Sequence, residues 1–326
     1  MNRQVGNRYI MKVVLAVFLI AAALFLQPFE SDVFAEKSQP SAKKSVGVAL
    51  GSGGAAGLAH IAMLQVFDDL QIKPDRIVGT SIGAVIGTLY AAGLTAKEIH
   101  DIFAEFGGSE LDALSKLVQP DKSLELGKML LVDFGQGGLL DPDGFLEYLA
   151  EKIEARTFSD LAIPLEVVAT DYWTGNSVVL KEGDLFTAVK ASMAVPGLFS
   201  PVQLGKRLLI DGGTSNPLPF DLLVKRHELT IAIDVTGSRE YRGNKQTDWM
   251  EMFFSTFEIM QQSIIAVRKE NSRPDIYIKP DIQDVRLLHF NRIESIMEQA
   301  APAAEQLRKE LIKQLDKTWN VKGDNL

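Results

Sequence analysis

The pentapeptide Gly79-Thr80-Ser81-Ile82-Gly83 follows the apolar pair Ile77-Val78 and precedes Val85, Ile86, Leu89 and Tyr90, which recur at helical spacing. Strand, sharp turn and helix is the setting of a nucleophile elbow. There a strained backbone lifts the serine oxygen above the sheet, and glycines two residues to either side leave room for the adjoining strand and helix. Ser81 is therefore a candidate nucleophile, with Gly79 and Gly83 as its steric support. A serine that merely caps a helix fits the same local residues.

A second chemical signal lies upstream. Val46, Val48 and Leu50 run into Gly51-Ser52-Gly53-Gly54-Ala55-Ala56-Gly57, after which Leu58, Ile61, Leu64 and Leu70 continue at helical spacing. Gly51-x-Gly53-x-x-Ala56 satisfies the dinucleotide fingerprint, which makes a nicotinamide oxidoreductase a rival reading. That fingerprint needs an acidic residue at the end of the next strand, where this chain has Gly79-Thr80-Ser81. A Walker-type phosphate loop also fails, because Leu58 and Ala59 stand where Lys and Ser/Thr are required. What remains is a run of unhindered backbone N–H groups at a helix N-terminus, suited to an anion. With a serine nucleophile on the neighbouring strand, that anion is a tetrahedral oxyanion.

A serine nucleophile needs a base. His60 and His100 fall within helical runs, His227 in a helix-to-strand connection and His289 before a C-terminal helix, so none occupies a turn after a strand. Asp211 does. It ends the apolar run Leu208-Leu209-Ile210 and opens the turn Gly212-Gly213, which predicts that it shares a carboxyl edge of the sheet with Ser81. An ordinary aspartate is a weak base, so either partial burial raises its pKa or it acts mainly by orientation. Asp171, in Asp171-Tyr172-Trp173-Thr174-Gly175, reads as a turn residue.

These residues need elements to hold them. Strands are predicted at 46–50, 77–78, 165–170, 177–180, 208–210, 229–235 and 276–278, and helices at 96–106, 144–155, 184–195 and 219–226, with mainly helix from Met250 onward. Strands alternating with helices imply an α/β fold of three layers, α/β/α, with a mainly parallel central sheet. The stripe Met250, Phe253, Phe254, Phe257, Met260, Ile264 has helical spacing and reads as core packing, the alternative being a membrane-docking face. The Gly- and Leu-rich segment 107–142 fits a lid or acyl-chain wall as well as a plain helical excursion.

Composition bounds the chemistry further. The 326 residues include 34 basic and 42 acidic side chains, a formal charge of −8, and no cysteine. Disulfides, thiolate metal sites and a cysteine nucleophile are excluded, and the acidic balance argues against nucleic acid as a partner. Arg3, Arg8 and Lys12 precede an unbroken apolar run, Val13–Leu26, with Pro28 and the small-residue context Val33-Phe34-Ala35 beyond it. Residues 1–35 read as a signal peptide and the protein as exported, the competing reading being an N-terminal anchor at 13–26. Residues 36–44 then form a linker, 45–236 a catalytic domain and 237–326 a C-terminal helical extension packing on the same domain.

Four ordered motifs together resemble the bacterial patatin-like phospholipases: Gly51–His60, Gly79–Gly83, Ala191-Ser192-Met193-Ala194-Val195-Pro196-Gly197, and Asp211-Gly212-Gly213 followed by Asn216-Pro217-Leu218-Pro219. The resemblance covers about Ser45 to Val235. It implies a serine acyl hydrolase acting on lipid esters through a Ser-Asp dyad without histidine, Ser81 as nucleophile and Asp211 as general base. It also implies an oxyanion hole from the N–H groups of Gly53 and Gly54 with Ala55 as a third donor, supported by Gly51, Gly57, Gly212 and Gly213, and neither metal nor cofactor. Many relatives carry Arg or Lys where this chain has Ala56, so a positive charge near the loop is missing. A non-enzymatic, membrane-peripheral lipid-binding protein is the other alternative. At −8 the chain has no general attraction to anionic membranes, so peripheral membrane contact must come from a local patch.

Overall fold

Four apolar runs of this chain lie buried along nearly their whole length, as strands do when both faces of a sheet are covered. The structure is a computed structural model that describes residues 44–109, 142–237 and 249–320. Its strands are β1 (Val46–Leu50), β2 (Arg76–Thr80), β3 (Leu165–Asp171), β4 (Ser177–Leu180), β5 (Val202–Leu204), β6 (Arg207–Asp211), β7 (Leu229–Ile233) and β8 (Ile276–Ile278). Strands β3, β2, β1, β7 and β8 lie side by side and parallel. The antiparallel strands β4 and β6 both pair with β3, and β5 forms a hairpin with β6.

The helices are α1 (Ala59–Asp69), α2 (Ile82–Ala91), α3 (Ala96–Ser109), α4 (Asp143–Glu151), α5 (Leu185–Ser192), α6 (Trp249–Asn271) and α7 (Ile293–Asn320). Because side chains alternate along a strand, Val46, Val48, Leu50, Ile77 and Ile231 turn to one face. There they pack with Ile61, Leu64 and Phe67 of α1, Leu89 of α2, Phe103 of α3 and Leu307 of α7. Ala49, Val78, Val168 and Ala232 turn to the other face, against Leu218, Phe220, Leu223 and Ile265 of α6. This is the expected three-layer α/β/α arrangement. Residues beyond 236 contribute β8 to the sheet as well as helices α6 and α7.

Two expectations need correction. Residues 219–226 do not form a helix; only Phe220–Leu222 makes a single 3₁₀ turn. Just before it, the carbonyls of Asn216 and Pro217 accept hydrogen bonds from Thr80 Oγ1 and Ser52 N, which ties this stretch to the neighbouring loops. The α6 stripe is only partly core: Phe254 packs against the cluster of Val195, Leu198, Phe199 and Leu288, whereas Phe253 and Met260 face outward. Gln261 and Ile265 are buried, whereas Met252, Phe253, Ile259, Met260 and Val267 are exposed. Apolar residues lie on both sides of this helix, and spacing alone does not say which side turns inward. The leader at 1–35 and most of the 107–142 segment lie outside the described residues.

Candidate active site

The site forms where two strands meet end to end. Strand β2 climbs along β3 and finishes with Thr80 opposite Val168. Strand β6 descends along β3 and finishes with Asp211 opposite Ala169, the next residue. Strand β4 pairs with β3 through Val167–Thr170, opposite both Val168 and Ala169, so β2 and β6 occupy the same edge of β3. Asp211 therefore reaches Ser81 because β6 runs antiparallel, and not because both residues end parallel strands at one carboxyl edge. A Cβ on Gly212 would collide with the Val168 carbonyl, so the chain turns away from β2 only with glycine there.

Ser81 carries the strain expected of an elbow. Its φ is 56° and its ψ −123°, a conformation costly for a residue with a side chain, on the order of 1–3 kcal/mol. The surroundings hold it there. A Cβ on Gly79 would come 2.5 Å from the Gly83 carbonyl, and one on Gly83 would collide with the Leu50 carbonyl. The Ser81 N–H donates to Ser192 Oγ at 2.8 Å, and that hydroxyl donates to the Val168 carbonyl at 2.6 Å. Ser192 closes α5 and is fully buried. The sequence puts Ser192 in the Ala191–Gly197 motif without marking a role for it; in the structure it fastens the elbow to β3.

Asp211 is 1% exposed. Burial pushes its carboxyl up to about 7, and only in part do the Ser81 hydroxyl and the Gly213 N–H, which donates to Oδ1 at 2.6 Å, draw it back. Oδ2 is buried without a well-formed hydrogen bond. A carboxylate beside a serine hydroxyl, with a pKa near neutrality, has the protonation behaviour of a general base.

The glycine-rich loop carries the N–H groups expected to act as oxyanion donors. Gly51 N–H and Ser52 N–H bond to the carbonyls of Ile233 and Pro217, and Ala55 N–H bonds to the Leu287 carbonyl at 2.8 Å. The third oxyanion donor expected from the sequence is thus occupied by a partner 232 residues along the chain. Among the described residues, the N–H groups of Gly53 and Gly54 have no such partner. Gly54 has φ +56°, and a Cβ there would come 2.6 Å from the Leu287 carbonyl; one on Gly53 would collide with the Val235 carbonyl. Both contacts come from beyond residue 224, so the C-terminal part of the chain shapes the loop.

The four motifs are tied to one another. Thr80 Oγ1 donates to the Asn216 carbonyl, Ser52 N–H to Pro217, and Asp211 N–H to Ala194 at 2.9 Å. Buried His60 donates from Nε2 to the Gly51 carbonyl at 2.8 Å, and burial pushes its pKa down to about 4, so it is neutral and serves as a strut. His100 pairs with Asp101 and Glu294, His289 accepts from the Arg286 N–H, and His227 packs below β1 beside Gly47. Asp171 uses Oδ1 to accept from the N–H groups of Trp173 and Thr174. Among the described residues, no group of three or more His, Asp or Glu side chains is arranged to hold a metal.

The patatin-like phospholipase family model matches residues 48–224. An uncharacterised NTE family protein of Mycobacterium tuberculosis is 33% identical over 217 residues, 64% of this chain and 56% of that protein. The Bacillus subtilis protein YqhO is 28% identical over 232 residues, 65% of this chain and 78% of its own length. Mouse patatin-like phospholipase domain-containing protein 6 is 30% identical over 199 residues, 60% of this chain and 14% of that protein. Among solved structures, VipD from Legionella pneumophila aligns with 82% of this chain and 66% of its own, at 16% identity and a TM-score of 0.42. The chain spans about half the length of the mycobacterial relatives it matches. On the extent of the family match, this chain belongs to the patatin-like phospholipase family.

Proposed function

We propose that the protein is a lipid ester hydrolase in which Ser81 and Asp211 form the catalytic dyad. The observation that carries this reading is the pairing of a strained, buried serine with an aspartate whose carboxyl burial holds near neutral pH. Asp211 takes the Ser81 proton as Oγ attacks the ester carbonyl, and the N–H groups of Gly53 and Gly54 receive the developing oxyanion. Collapse of that intermediate expels the alcohol, which takes the proton from Asp211 and leaves the acyl group on Ser81. Water then releases the fatty acid with Asp211 again acting as base.

The exposed apolar side of α6 supports peripheral contact with a lipid surface. Met252, Phe253, Ile259, Met260 and Val267 stand out from a surface otherwise acidic in balance, and Phe254 of the same helix packs against the cluster of Val195, Leu198, Phe199 and Leu288 that Leu287 also joins, the residue whose carbonyl holds the Ala55 N–H. Among the described residues no helix is long and apolar enough to cross a membrane. Export, proposed from the leader alone, brings the enzyme to lipid outside the cytoplasm.

Covalent labelling with a fluorophosphonate, read by mass spectrometry, tests the assignment. The adduct is expected on Ser81, with p-nitrophenyl acyl ester hydrolysis lost in Ser81→Ala and Asp211→Asn. An adduct elsewhere, or activity retained by either folded variant, refutes it.

A further inference from the structure

Two buried polar side chains from separate parts of the chain, Ser52 and Gln261, converge beside Asp211. Ser52 of the glycine-rich loop is 1% exposed and its Oγ has no hydrogen bond. Gln261 of α6 is 3% exposed, and its Nε2 lies against Gly213. Asp211 Oδ2 is likewise buried without a well-formed hydrogen bond. Gly213 lies between the three side chains: a Cβ there would collide with Gln261 Nε2 and sit 3.1 Å from Ser52 Oγ and 2.8 Å from Asp211 Oδ1, the carboxyl oxygen that accepts the Gly213 N–H. The absent side chain is what allows the three to approach.

Both flanking residues are firmly placed. Ser52 N–H is anchored on the Pro217 carbonyl. Gln261 is held by its helix, where Ile265 packs under the sheet and Gln262 Nε2 donates to the Gly237 carbonyl. Leaving a buried polar group unsatisfied costs roughly 1–3 kcal/mol, and proteins relieve such costs with an ordered water where two to four polar groups face one point. A hydroxyl able to donate or accept, an amide N–H that donates and a carboxylate that accepts suit a ligand with two O–H donors and two lone pairs. Water has that pattern. An ester carbonyl, an acceptor alone, does not.

We propose that Ser52 and Gln261 hold the water that Asp211 activates to clear the acyl-enzyme. This rests on the Ser81–Asp211 reading above. The water oxygen bonds to the acyl carbonyl carbon while its proton passes to Asp211. The Gln261 N–H donates to one lone pair of the water and the Ser52 hydroxyl accepts its second hydrogen, which leaves the other lone pair for the attack. When the tetrahedral intermediate collapses, the bond to Ser81 Oγ breaks, the proton on Asp211 returns to that oxygen, and the fatty acid leaves. Both are positioning residues for this second half of the cycle. The first half, in which Ser81 is acylated, does not use them.

Rapid-mixing kinetics with a p-nitrophenyl acyl ester separate the two halves. In Gln261→Met and Ser52→Ala, a burst of about one p-nitrophenol per enzyme at the wild-type rate should precede a steady state slowed ~10–100-fold, the scale expected when a reactant is misplaced. Acid quench should trap the acyl group on Ser81, and Ser52→Thr should restore part of the turnover. Fluorophosphonate labelling at the wild-type rate certifies that each variant is folded; should Gln261→Met fail that check, Ser52→Ala carries the experiment. A burst slowed as much as turnover, absence of trapped acyl-enzyme, or unchanged turnover overturns the water site. Failure of wild-type Ser81 to be acylated would instead overturn the dyad reading beneath it.

Discussion

Ser192 Oγ lies 2.8 Å from the backbone nitrogen of Ser81 and accepts its hydrogen, while donating its own to the Val168 carbonyl. One hydroxyl thus binds the strained turn to the strand beside it, and its loss leaves two buried backbone groups unpaired. Ser192→Ala is expected to destabilise the fold by about 1–3 kcal/mol and to slow fluorophosphonate labelling of Ser81 about tenfold or more as the elbow relaxes. Thermal melting and labelling rates measure the two effects. Labelling at the wild-type rate in a destabilised variant would reduce Ser192 to a packing role.

Hydrolysis should follow the ionisation of Asp211. With the carboxyl held at about 7 by burial, the rate is expected to climb tenfold per pH unit below neutrality and to level off above it. A profile with its midpoint near 4, or none between pH 4 and 9, would exclude a buried aspartate as the base.

The same carboxyl has a consequence for stability. Its folded pKa lies above the unfolded value of 3.8, so the folded chain retains a proton that the unfolded chain has lost, and stability falls as pH rises from about 4 to 7. His60 acts in the opposite sense. Its folded pKa of about 4 lies below the unfolded 6.5, so its contribution is full above pH 6.5 and fades as pH falls toward 4. The two slopes largely cancel in the wild type. Asp211→Asn should therefore expose a rise in stability with pH across this window, and His60→Gln a fall, each on the order of 3–4 kcal/mol at most. Urea unfolding at several pH values reads both, and parallel curves for wild type and variants would contradict the pair.

Much of this site is legible in the sequence because its chemistry depends on local spacing. Glycines flanking Ser81, the glycine turn after β1 and the acid before Gly212-Gly213 each announce a backbone shape that only those residues permit. Long-range relations are not legible in that way. Ser192 lies 111 residues from Ser81, and the occupied N–H of Ala55 depends on Leu287, beyond the four motifs. The direction of β6 is equally hidden, since Leu208-Leu209-Ile210 reads alike in a parallel and an antiparallel strand. On α6 the inward face includes Gln261, a polar residue that apolar spacing passes over, while Phe253 and Met260 face outward.

Gly54→Ala should be among the most damaging single changes that leave the dyad itself intact. The left-handed φ of +56° and the Leu287 carbonyl 2.6 Å from an added Cβ both oppose it, and any relief must move one of the two N–H groups proposed as oxyanion donors. A fall in kcat of ~100-fold or more is expected, with KM for p-nitrophenyl esters little changed. Equal losses in KM alone would mean that the loop binds substrate without stabilising the oxyanion.

The exposed side of α6 offers a test in which chemistry and interface separate. Met252 and Met260 are 58% and 52% exposed and belong to none of the hydrophobic clusters of the core, so glutamate at either position should leave folding and the hydrolysis of a soluble short-chain ester near wild type. Binding to phosphatidylcholine vesicles is different. Each buried methionine side chain contributes roughly 1.5–3 kcal/mol when withdrawn from water, and a carboxylate in its place must stay hydrated. The double variant Met252→Glu/Met260→Glu is thus expected to lose vesicle binding in flotation assays, and with it most activity on lipid in bilayers. Equal vesicle binding by variant and wild type would remove α6 from the interface and leave the exposed pair Tyr172 and Trp173 as the next surface to probe.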